Sequence, residues 1–477
     1  MKQQSLMGML GSAMGLRLAM AALNFGLFWV LSHRLDSNSL GGFSLLMNIF
    51  LLLQLLPLLG LAPAFIRRAA AEHENIQVEL SNGVAFALPV AVVLGLGIGV
   101  IGQTTYGEEL HASFWLIALA MLPTAWIQVA EVTLLGRERM ADIARVQGAE
   151  AFLRFGGALL VLQLGGGLTG IFAVITLLRF AVGLAYALLP ELPRPRWRDC
   201  QLAIWYRHWH EVPMYLGIAL LAGFTSRLDV IVLSRLQGLH EVAIYAAASR
   251  LYDAALMLPT VAALTMMPAL ARLFASDRDQ FGRLLTGALR ASLGVGMLVA
   301  LVVSACSELI IGVLYAPGMS AASDVLRWLI FGAVFMTADQ VLSSTMLAAR
   351  AQAHDFRALA LSLVWLVIGL FWLVPLWGPR GVAIAVTLTP MIRVAYRLRW
   401  AAATLGLGGL WRDYLRQLAA LAAGVFAMEL VWSTGVVWRA LAGCGAWLLA
   451  AAVVGLVHRG LLQDWRAGWT TLRRRQA

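Results

Sequence analysis

Two ionised residues lie two positions apart inside a long apolar stretch, in the segment SRLDVIVLSR at 226–235. The run YLGIALLAGFT precedes them and VIVL follows Asp229, so the whole stretch is long enough to cross a bilayer. An ionised side chain in hydrocarbon costs free energy and therefore usually faces protein or a water-filled cavity. Residues two apart point to nearly opposite faces of a helix. We expect Arg227 to face a cavity and Asp229 a neighbouring helix, where Arg250 is a candidate partner, while the reverse assignment stays open.

Eight ionised side chains lie deep within apolar segments and need an explanation of this kind. The bases are Arg17, Arg154, Arg179, Arg227 and Arg250, and the acids are Asp229, Asp253 and Asp339. The excess of bases favours a cavity that receives an anion, because the guanidinium fork matches phosphate oxygens bidentately. The alternative, that Arg–Asp pairs only hold helices together, stays open for each residue. Arg250 and Asp253 are three apart on one helical face and can pair with each other.

Some of the remaining polar residues suggest more specific roles. Asp339 is a candidate site for H⁺ or Na⁺ that would couple the protein to an ion gradient, and otherwise it bonds to Gln340 or to another helix. Asn24 and Tyr252 are predicted to line the cavity, with helix packing as the alternative. Charged residues near the ends of apolar segments are expected to snorkel to the interface: Arg290, Arg327, Arg416, Glu131, Glu308 and Glu429.

The composition indicates an all-α protein that crosses the membrane many times. Of 477 residues, 61% are apolar and only 13% are charged, with a mean hydropathy of +0.79, whereas a soluble domain carries roughly 25% charged residues. No lysine follows Lys2, so a Walker-type phosphate loop, which ends in Gly-Lys-[Ser/Thr], cannot occur beyond that position. Three widely spaced cysteines lack the spacing of a zinc site. We therefore expect no metal, no cofactor apart from a coupling ion, and no catalytic residue.

Fourteen apolar segments are long enough, or nearly so, to span a bilayer. They are 8–31, 40–63, 80–102, 113–135, 148–164, 168–188, 211–234, 242–268, 289–315, 322–348, 358–377, 379–392, 414–434 and 436–457. Between them, 24 Lys and Arg residues fall on the side of the N-terminus and four on the other side. This positive-inside bias predicts that both termini are cytoplasmic. It also explains the net charge of +11 by topology and attraction to anionic lipid, so no nucleic-acid partner is expected.

The chain is predicted to contain two similar halves. Gly167, Gly170, Thr176 and Leu177 recur 211 residues later as Gly378, Gly381, Thr387 and Leu388. Each half then holds six spans and starts in the cytoplasm, which is a parallel repeat of the kind that rocks around a site near the midplane. The predicted parts are an N-lobe at 1–189, a cytoplasmic linker at 190–210 that lies in the interface as a helix, a C-lobe at 211–400, and two further spans with a basic tail at 401–477.

Two stretches resemble a known family. The run RLDSNSLGGFSLLMNIF through GLAPAFIRRAA (34–70) resembles the opening of the polysaccharide transporter family, the oligosaccharide flippases for O-antigen and exopolysaccharide in the multidrug/oligosaccharidyl-lipid/polysaccharide exporter (MOP) superfamily. The run LDVIVLSRLQGLHEVAIYAAASRLYDAALMLPTVAALTMMPALARL (228–273) resembles the seventh and eighth spans of that family, with Asp229, Tyr245, Ala248 and Arg250 on its pattern. The resemblance covers about residues 8–400. It implies transfer of an undecaprenyl-pyrophosphate-linked glycan from the cytoplasmic to the outer leaflet of the bacterial inner membrane, for lipopolysaccharide or exopolysaccharide synthesis.

Other functions are weighed against this one. The crowded Arg and Asp motifs expected early in a lipid II flippase are missing, and so are the carboxylates in the first spans of a multidrug exporter. A basic cavity also disfavours cationic drugs. A membrane polymerase or ligase would need a long external loop with catalytic His and Arg residues, and no outer loop here exceeds about a dozen residues. The expected partners are a lipid-linked oligosaccharide, membrane lipids, and a polysaccharide polymerase with its assembly machinery.

Overall fold

Long apolar segments in lipid must pair their backbone groups internally, and this chain does so with helices. The computed structural model describes residues 6–71, 76–201, 212–349, 351–406 and 408–453, and contains no strand within those ranges. It divides into two compact units, Met1–Ala243 and Ile244–Ala477. The prediction of an all-α polytopic membrane protein with about fourteen spans is confirmed. The predicted lobe boundaries stay a prediction.

The helices of the first unit are α1 Leu6–Arg34, α2 Ser37–Leu53, α3 Ala62–Ala71, α4 Ile76–Thr105, α5 Glu108–Gly136, α6 Met140–Gln163, α7 Gly167–Ala187 and α8 Val212–Leu236. Helix α9, Leu239–Ser276, contains the boundary between the units. The second unit continues with α10 Arg278–Ala305, α11 Ser307–Leu314, α12 Ala322–Ala348, α13 Gln352–Leu405, α14 Gly408–Leu430 and α15 Val436–Val453. Eight of these described helices are long and apolar enough to cross a membrane by themselves.

Every predicted span overlaps a described helix, but two spans are interrupted. Span 40–63 ends as regular helix at Leu53, and the chain then turns through Leu59 and Gly60, which have positive φ values of 47° and 77°. Span 289–315 breaks at Cys306 into α10 and α11. Helix α13 holds two predicted spans, which meet at Gly378 (φ 55°, ψ −134°), a backbone conformation open to glycine alone.

The two predicted halves share local geometry as well as sequence. Gly167 has φ 54°, matching the 55° of Gly378. Thr176 donates its hydroxyl to the Leu116 carbonyl at 2.9 Å, and Thr387 donates to the Trp328 carbonyl at 3.0 Å. Each hydrogen bond lies within one unit: the first joins α7 to α5, and the second joins the second arm of α13 to α12. These two helices are the most buried of the apolar spans, at 61% and 78% of their apolar windows.

The linker between the halves departs from the prediction in its described part. Residues 190–201 form irregular chain with one 3₁₀ turn at Trp197–Asp199, because Pro190, Pro193 and Pro195 prevent a helix. This part is tied to α4, where Gln77 donates to Asp199 at 2.9 Å and Ser81 accepts from the Arg196 amide at 2.9 Å. The rest of the linker, 202–211, and the basic tail, 454–477, lie outside the described residues.

Candidate functional site

Arg227 is bound by an amide rather than by a carboxylate. From α8, its Nη1 donates to Oδ1 of Asn48 on α2 at 2.9 Å. Asn48 is buried and donates its own amide nitrogen to the Ser44 carbonyl at 2.8 Å, which orients its oxygen towards α8. Within the described ranges no carboxylate oxygen lies within 4.0 Å of the Arg227 guanidinium. The amide therefore satisfies one of the five N–H donors of Arg227 and leaves its positive charge without a counter-ion there.

Arg179 on α7 occupies a more crowded position. Its Nη2 donates to Oε1 of Gln54 at 3.3 Å, and its Nε lies 3.5 Å from Oε1 of Glu150 on α6. The guanidinium carbon lies 5.0 Å from the centre of the Phe50 ring. The side chains of Arg179 and Glu150 are only 13% and 10% exposed. Glu150 is thus a functional candidate that the sequence reasoning missed, although its spacing of four residues from Arg154 on α6 was a readable signal.

Arg154 also bonds to an amide oxygen on another helix. From α6, its Nη2 donates to Oδ1 of Asn24 on α1 at 2.6 Å. Asn24 had been predicted to line a cavity, and the structure joins it to a predicted anion-binding residue. We call the three arginines Arg154, Arg179 and Arg227, with their amide partners Asn24, Gln54 and Asn48, the basic column of the first unit. Asn48 lies in α2 and Gln54 caps the C-terminal end of that helix, so they are separated by roughly 9 Å along its axis.

The other predicted site residues are placed less specifically. Asp229 accepts the Val230 amide at 2.9 Å, while Arg250 lies in the other unit, so the proposed Asp229–Arg250 pair stays a prediction. Asp253 is exposed. Tyr252 is buried against α12, where a Cβ at Gly332 would lie 3.3 Å from its ring, which is a packing position. Arg17 lies in α1, but its side chain is outside the described residues.

Asp339 is held by two arginines of α13. Its Oδ2 lies 2.9 Å from Arg393 Nε, and its Oδ1 accepts a short hydrogen bond from Arg397. Arg397 also pairs with Asp355 at 2.7 Å, and the Ser343 hydroxyl donates to Asp355 at 3.2 Å. Arg393 and Arg397 lie just beyond the predicted span 379–392 and are buried in the second arm of α13, which continues to Leu405. The positive-inside excess persists without them.

The acid Glu131 does not snorkel as predicted. On α5, its Oε1 accepts hydrogen bonds from Gln147 of α6 at 2.9 Å and from the Tyr186 hydroxyl of α7 at 3.0 Å. Tyr186 is completely buried. Glu131 therefore faces neighbouring helices of the first unit, because α6 and α7 both pack against α5 and offer it donors.

The other residues predicted to snorkel form ion pairs between helices of the second unit. Arg290 on α10 binds Asp413 on α14 through Nε at 2.7 Å, and Arg416 lies 3.8 Å from the same carboxylate. Arg327 pairs with Glu429, and Arg439 pairs with Glu308 at 2.8 Å. The guanidinium carbons of Arg327 and Arg439 lie 3.6 Å and 4.2 Å from the Trp432 ring centre. Each of these arginines has a carboxylate nearby, unlike Arg227.

Metal ligation has no support in the described part of the chain, which contains no group of three His, Cys, Asp or Glu side chains that could hold an ion. The polar groups that converge are instead guanidinium and amide groups in the first unit and several Arg–Asp pairs in the second. An arginine whose charge is not neutralised can bind a phosphate or carboxylate group on a ligand.

Solved membrane transporters have the same fold. The chain is similar to the lipid II flippase MurJ in an inward closed conformation, with 15% identity and a TM-score of 0.71 over 92% of this chain and 98% of that one. It is also similar to a multidrug resistance MATE family transporter of the MOP superfamily, with 16% identity, a TM-score of 0.61, and 82% and 94% coverage. For a MOP superfamily transporter from Pyrococcus furiosus the values are 15%, 0.55, 83% and 94%.

The sequence comparisons identify the family. No curated protein sequence matches significantly. The family described as "Polysaccharide biosynthesis protein" matches residues 11–274, which is more than half of the chain and includes most of α1, all of α2 to α8 and most of α9. This range contains every residue of the basic column. The chain therefore belongs to the polysaccharide biosynthesis protein family, as its resemblance to polysaccharide transporters predicted, and it has the fold of MOP superfamily transporters.

Proposed function

We propose that this protein is a flippase that moves an undecaprenyl-pyrophosphate-linked oligosaccharide from the cytoplasmic to the periplasmic leaflet. The product would serve the synthesis of a cell-surface polysaccharide, either lipopolysaccharide or exopolysaccharide. One observation carries the proposal: Arg227 lies within a membrane span of a polysaccharide biosynthesis family member and is bound by the Asn48 amide alone among its described neighbours. A guanidinium that is held by an amide and has no carboxylate beside it is suited to bind an anionic group of a ligand.

The chemistry of the basic column fits a pyrophosphate. A guanidinium presents N–H donors in a planar fork, which pairs with two phosphate oxygens at once. Asn48 holds Arg227 in place through one donor, so the remaining donors are free to bind oxygen. Arg179 is shared between Gln54 and Glu150, and we assign it to orientation of the anion rather than to the strongest contact. Amide groups such as Asn24 can also bond to sugar hydroxyls.

Alternating access is the mechanism that the repeat supports. Each half has a central, largely buried helix, α5 or α12, that accepts a threonine hydrogen bond from a later helix of the same half. Transporters built from two such similar halves work by rocking one half against the other around a site near the membrane midplane. In this proposal the protein resides in the bacterial inner membrane with both termini in the cytoplasm, loads the lipid-linked glycan there, and releases it outside. A polysaccharide polymerase and its assembly machinery would then receive the product.

Two alternative cargoes need to be separated from this one. The similarity to nearly the whole of a lipid II flippase makes lipid II a second candidate. A small cationic drug, as for a multidrug antiporter, is disfavoured by an uncompensated arginine, because a cation would need a carboxylate at that position. Both alternatives predict phenotypes that differ from loss of a surface polymer.

The test is a deletion strain complemented with variants. Deletion is expected to strand the lipid-linked glycan in the inner leaflet and to abolish the surface polymer. Arg227→Ala, alone and with Arg250→Ala, should fail to restore the polymer while reaching the membrane at normal abundance. Arg145→Ala is the matched control, because Arg145 is 79% exposed near the start of α6 and should restore export fully.

Three results would contradict the proposal. Normal polymer in the deletion strain with altered drug tolerance would favour the multidrug antiporter. Rescue of a strain depleted of its own lipid II flippase, without any polymer defect, would favour lipid II. Full export by the Arg227→Ala, Arg250→Ala protein would refute the anion-binding role of the arginines.

A further inference from the structure

A pocket of the second unit lies between α10, the second arm of α13 and α14, and its polar lining consists of Arg290, Asp413, Tyr414 and Gln417. Arg290 donates to Asp413, and the Tyr414 hydroxyl donates to the Met391 carbonyl at 3.2 Å. Gln417 differs from these residues. It is only 4% exposed, and its Oε1 has no hydrogen-bond partner within the described ranges. Burial of an unpaired amide oxygen costs free energy, so this oxygen is suited to accept a hydrogen bond from a ligand.

The pocket lies where two predicted spans begin. Span 289–315 starts at its α10 wall and span 414–434 at its α14 wall, and the arginine bias predicts that both starts are cytoplasmic. The side chains of Arg290 and Arg416 are 39% and 45% exposed there. This is the level at which phospholipid headgroups meet the acyl chains. The rest of the lining is apolar: Leu289, Leu293, Val394, Leu398 and Leu410.

The charges beside the pocket do not balance. Nη1 of Arg416 lies 3.8 Å from Oδ1 of Asp413, which is too long for a hydrogen bond. Arg290 binds the other oxygen of the same carboxylate at 2.7 Å. Two guanidinium groups therefore share one carboxylate, and one positive charge is left over. A ligand with a single negative charge would neutralise it, and phosphate oxygens match the donors of a guanidinium.

We propose that this pocket binds one anionic phospholipid of the phosphatidylglycerol type from the cytoplasmic leaflet. Its phosphodiester would bind Arg416 and the remaining donors of Arg290, and a glycerol hydroxyl would donate to Oε1 of Gln417. Its acyl chains would lie on the apolar surface beside the pocket, where Val295 of α10 and Leu415 of α14 are 64% and 47% exposed. The lipid then joins α14 to α10. This inference is independent of the cargo that the protein transports.

The choice of lipid follows from the two unmatched groups. A zwitterionic phosphatidylethanolamine brings no net charge to the surplus guanidinium. Free phosphate brings the charge but neither the hydroxyl for Gln417 nor acyl chains for the apolar surface. Only a lipid with a net negative charge and a headgroup hydroxyl satisfies Arg416 and Gln417 together.

The test uses the purified full-length protein in an uncharged detergent. Its melting temperature is followed while phosphatidylglycerol, phosphatidylethanolamine or inorganic phosphate is added, and native mass spectrometry counts the lipids that stay bound. We expect phosphatidylglycerol to raise the melting temperature saturably and to be retained, and the other two to have little effect at the same concentration.

Two variants assign the binding to this pocket. Arg416→Gln removes the surplus charge, and Gln417→Leu removes the buried acceptor with little change in volume. Each is expected to weaken phosphatidylglycerol binding about fivefold. Arg145→Gln is the matched control, because Arg145 also pairs with an aspartate three residues away near the start of its helix, and it should bind the lipid as the wild type does.

Several results would overturn the proposal. Equal stabilisation by phosphatidylethanolamine would remove the role of charge, and equal stabilisation by inorganic phosphate would remove the role of the lipid. Wild-type affinity for phosphatidylglycerol in Arg416→Gln would place any bound lipid elsewhere. If Gln417→Leu does not fold, Arg416→Gln decides alone, since its long ion pair contributes little to stability.

Discussion

Replacement of Asn48 by Asp is the sharpest perturbation of the basic column. The variant is almost isosteric with the native side chain and would place a carboxylate 2.9 Å from Nη1 of Arg227, where the amide oxygen lies now. The hydrogen bond is kept, but the charge of Arg227 gains a counter-ion. If that charge serves only to join α2 to α8, the variant should fold at least as well as the wild type and should transport normally.

The size of the effect on anion binding follows from the distance. Two unit charges about 4 Å apart interact by about 4 kcal/mol at an effective dielectric constant of about 20. An anionic ligand would have to compete with this attraction, and each 1.4 kcal/mol corresponds to about a tenfold change in affinity. Allowing for partial desolvation, we expect the affinity of the site for an anion to fall by roughly 100-fold to 1,000-fold.

The assay compares Asn48→Asp with Asn48→Ala in the complemented deletion strain. Asn48→Ala removes the amide but leaves the charge of Arg227 available, so it should retain part of its export activity. Asn48→Asp should lose export almost completely at normal membrane abundance and unchanged or raised melting temperature. Wild-type export by Asn48→Asp at normal abundance would refute the argument that Arg227 is kept free for an anion.

Two further predictions concern stability in the second unit, measured as melting temperatures of the purified protein. Asp339→Ala leaves Arg393 buried without a carboxylate and should lower the free energy of unfolding by about 3–5 kcal/mol. Arg416→Ala removes a half-exposed ion pair at 3.8 Å and should lower it by less than about 1 kcal/mol. Equal losses in the two variants would contradict a structural role for the Asp339 ion pairs. Gly378→Ala places a side chain at the positive-φ kink of α13 and should lower the free energy of unfolding by about 1–3 kcal/mol. Gly156→Ala, in open space on α6, should leave the stability unchanged or raise it slightly. An unchanged melting temperature in Gly378→Ala would argue against the kink.

The membrane architecture could be predicted from sequence because it follows from composition and length. Apolar runs near 20 residues must be helices in lipid, and every predicted span overlaps a described helix. The internal repeat was visible in glycines such as Gly167 and Gly378, because a positive φ restricts the residue type. The breaks after Leu53 and at Cys306 could not be predicted in this way, since they depend on turns that leave the hydropathy unchanged.

The candidate site could be predicted only in part. Sequence position identified Arg154, Arg179 and Arg227 as bases within apolar segments, but not their partners, because partners come from helices far away along the chain. Asn48 and Gln54 are separated from Arg227 and Arg179 by more than a hundred residues. For the same reason Arg393 and Arg397 were not recognised as the partners of Asp339.

The partner of each arginine within the membrane spans, more than its depth, separates structural from functional charge in this protein. A guanidinium beside a carboxylate, such as Arg393 with Asp339, is neutralised and joins helices. A guanidinium beside an amide, such as Arg227 with Asn48, is held in place by a hydrogen bond, but its positive charge is not neutralised. A helix joint alone would not require that arrangement, because an aspartate at position 48 would hold α2 and α8 together and would also neutralise Arg227. The use of an asparagine there is therefore the feature that a binding role explains and a packing role does not.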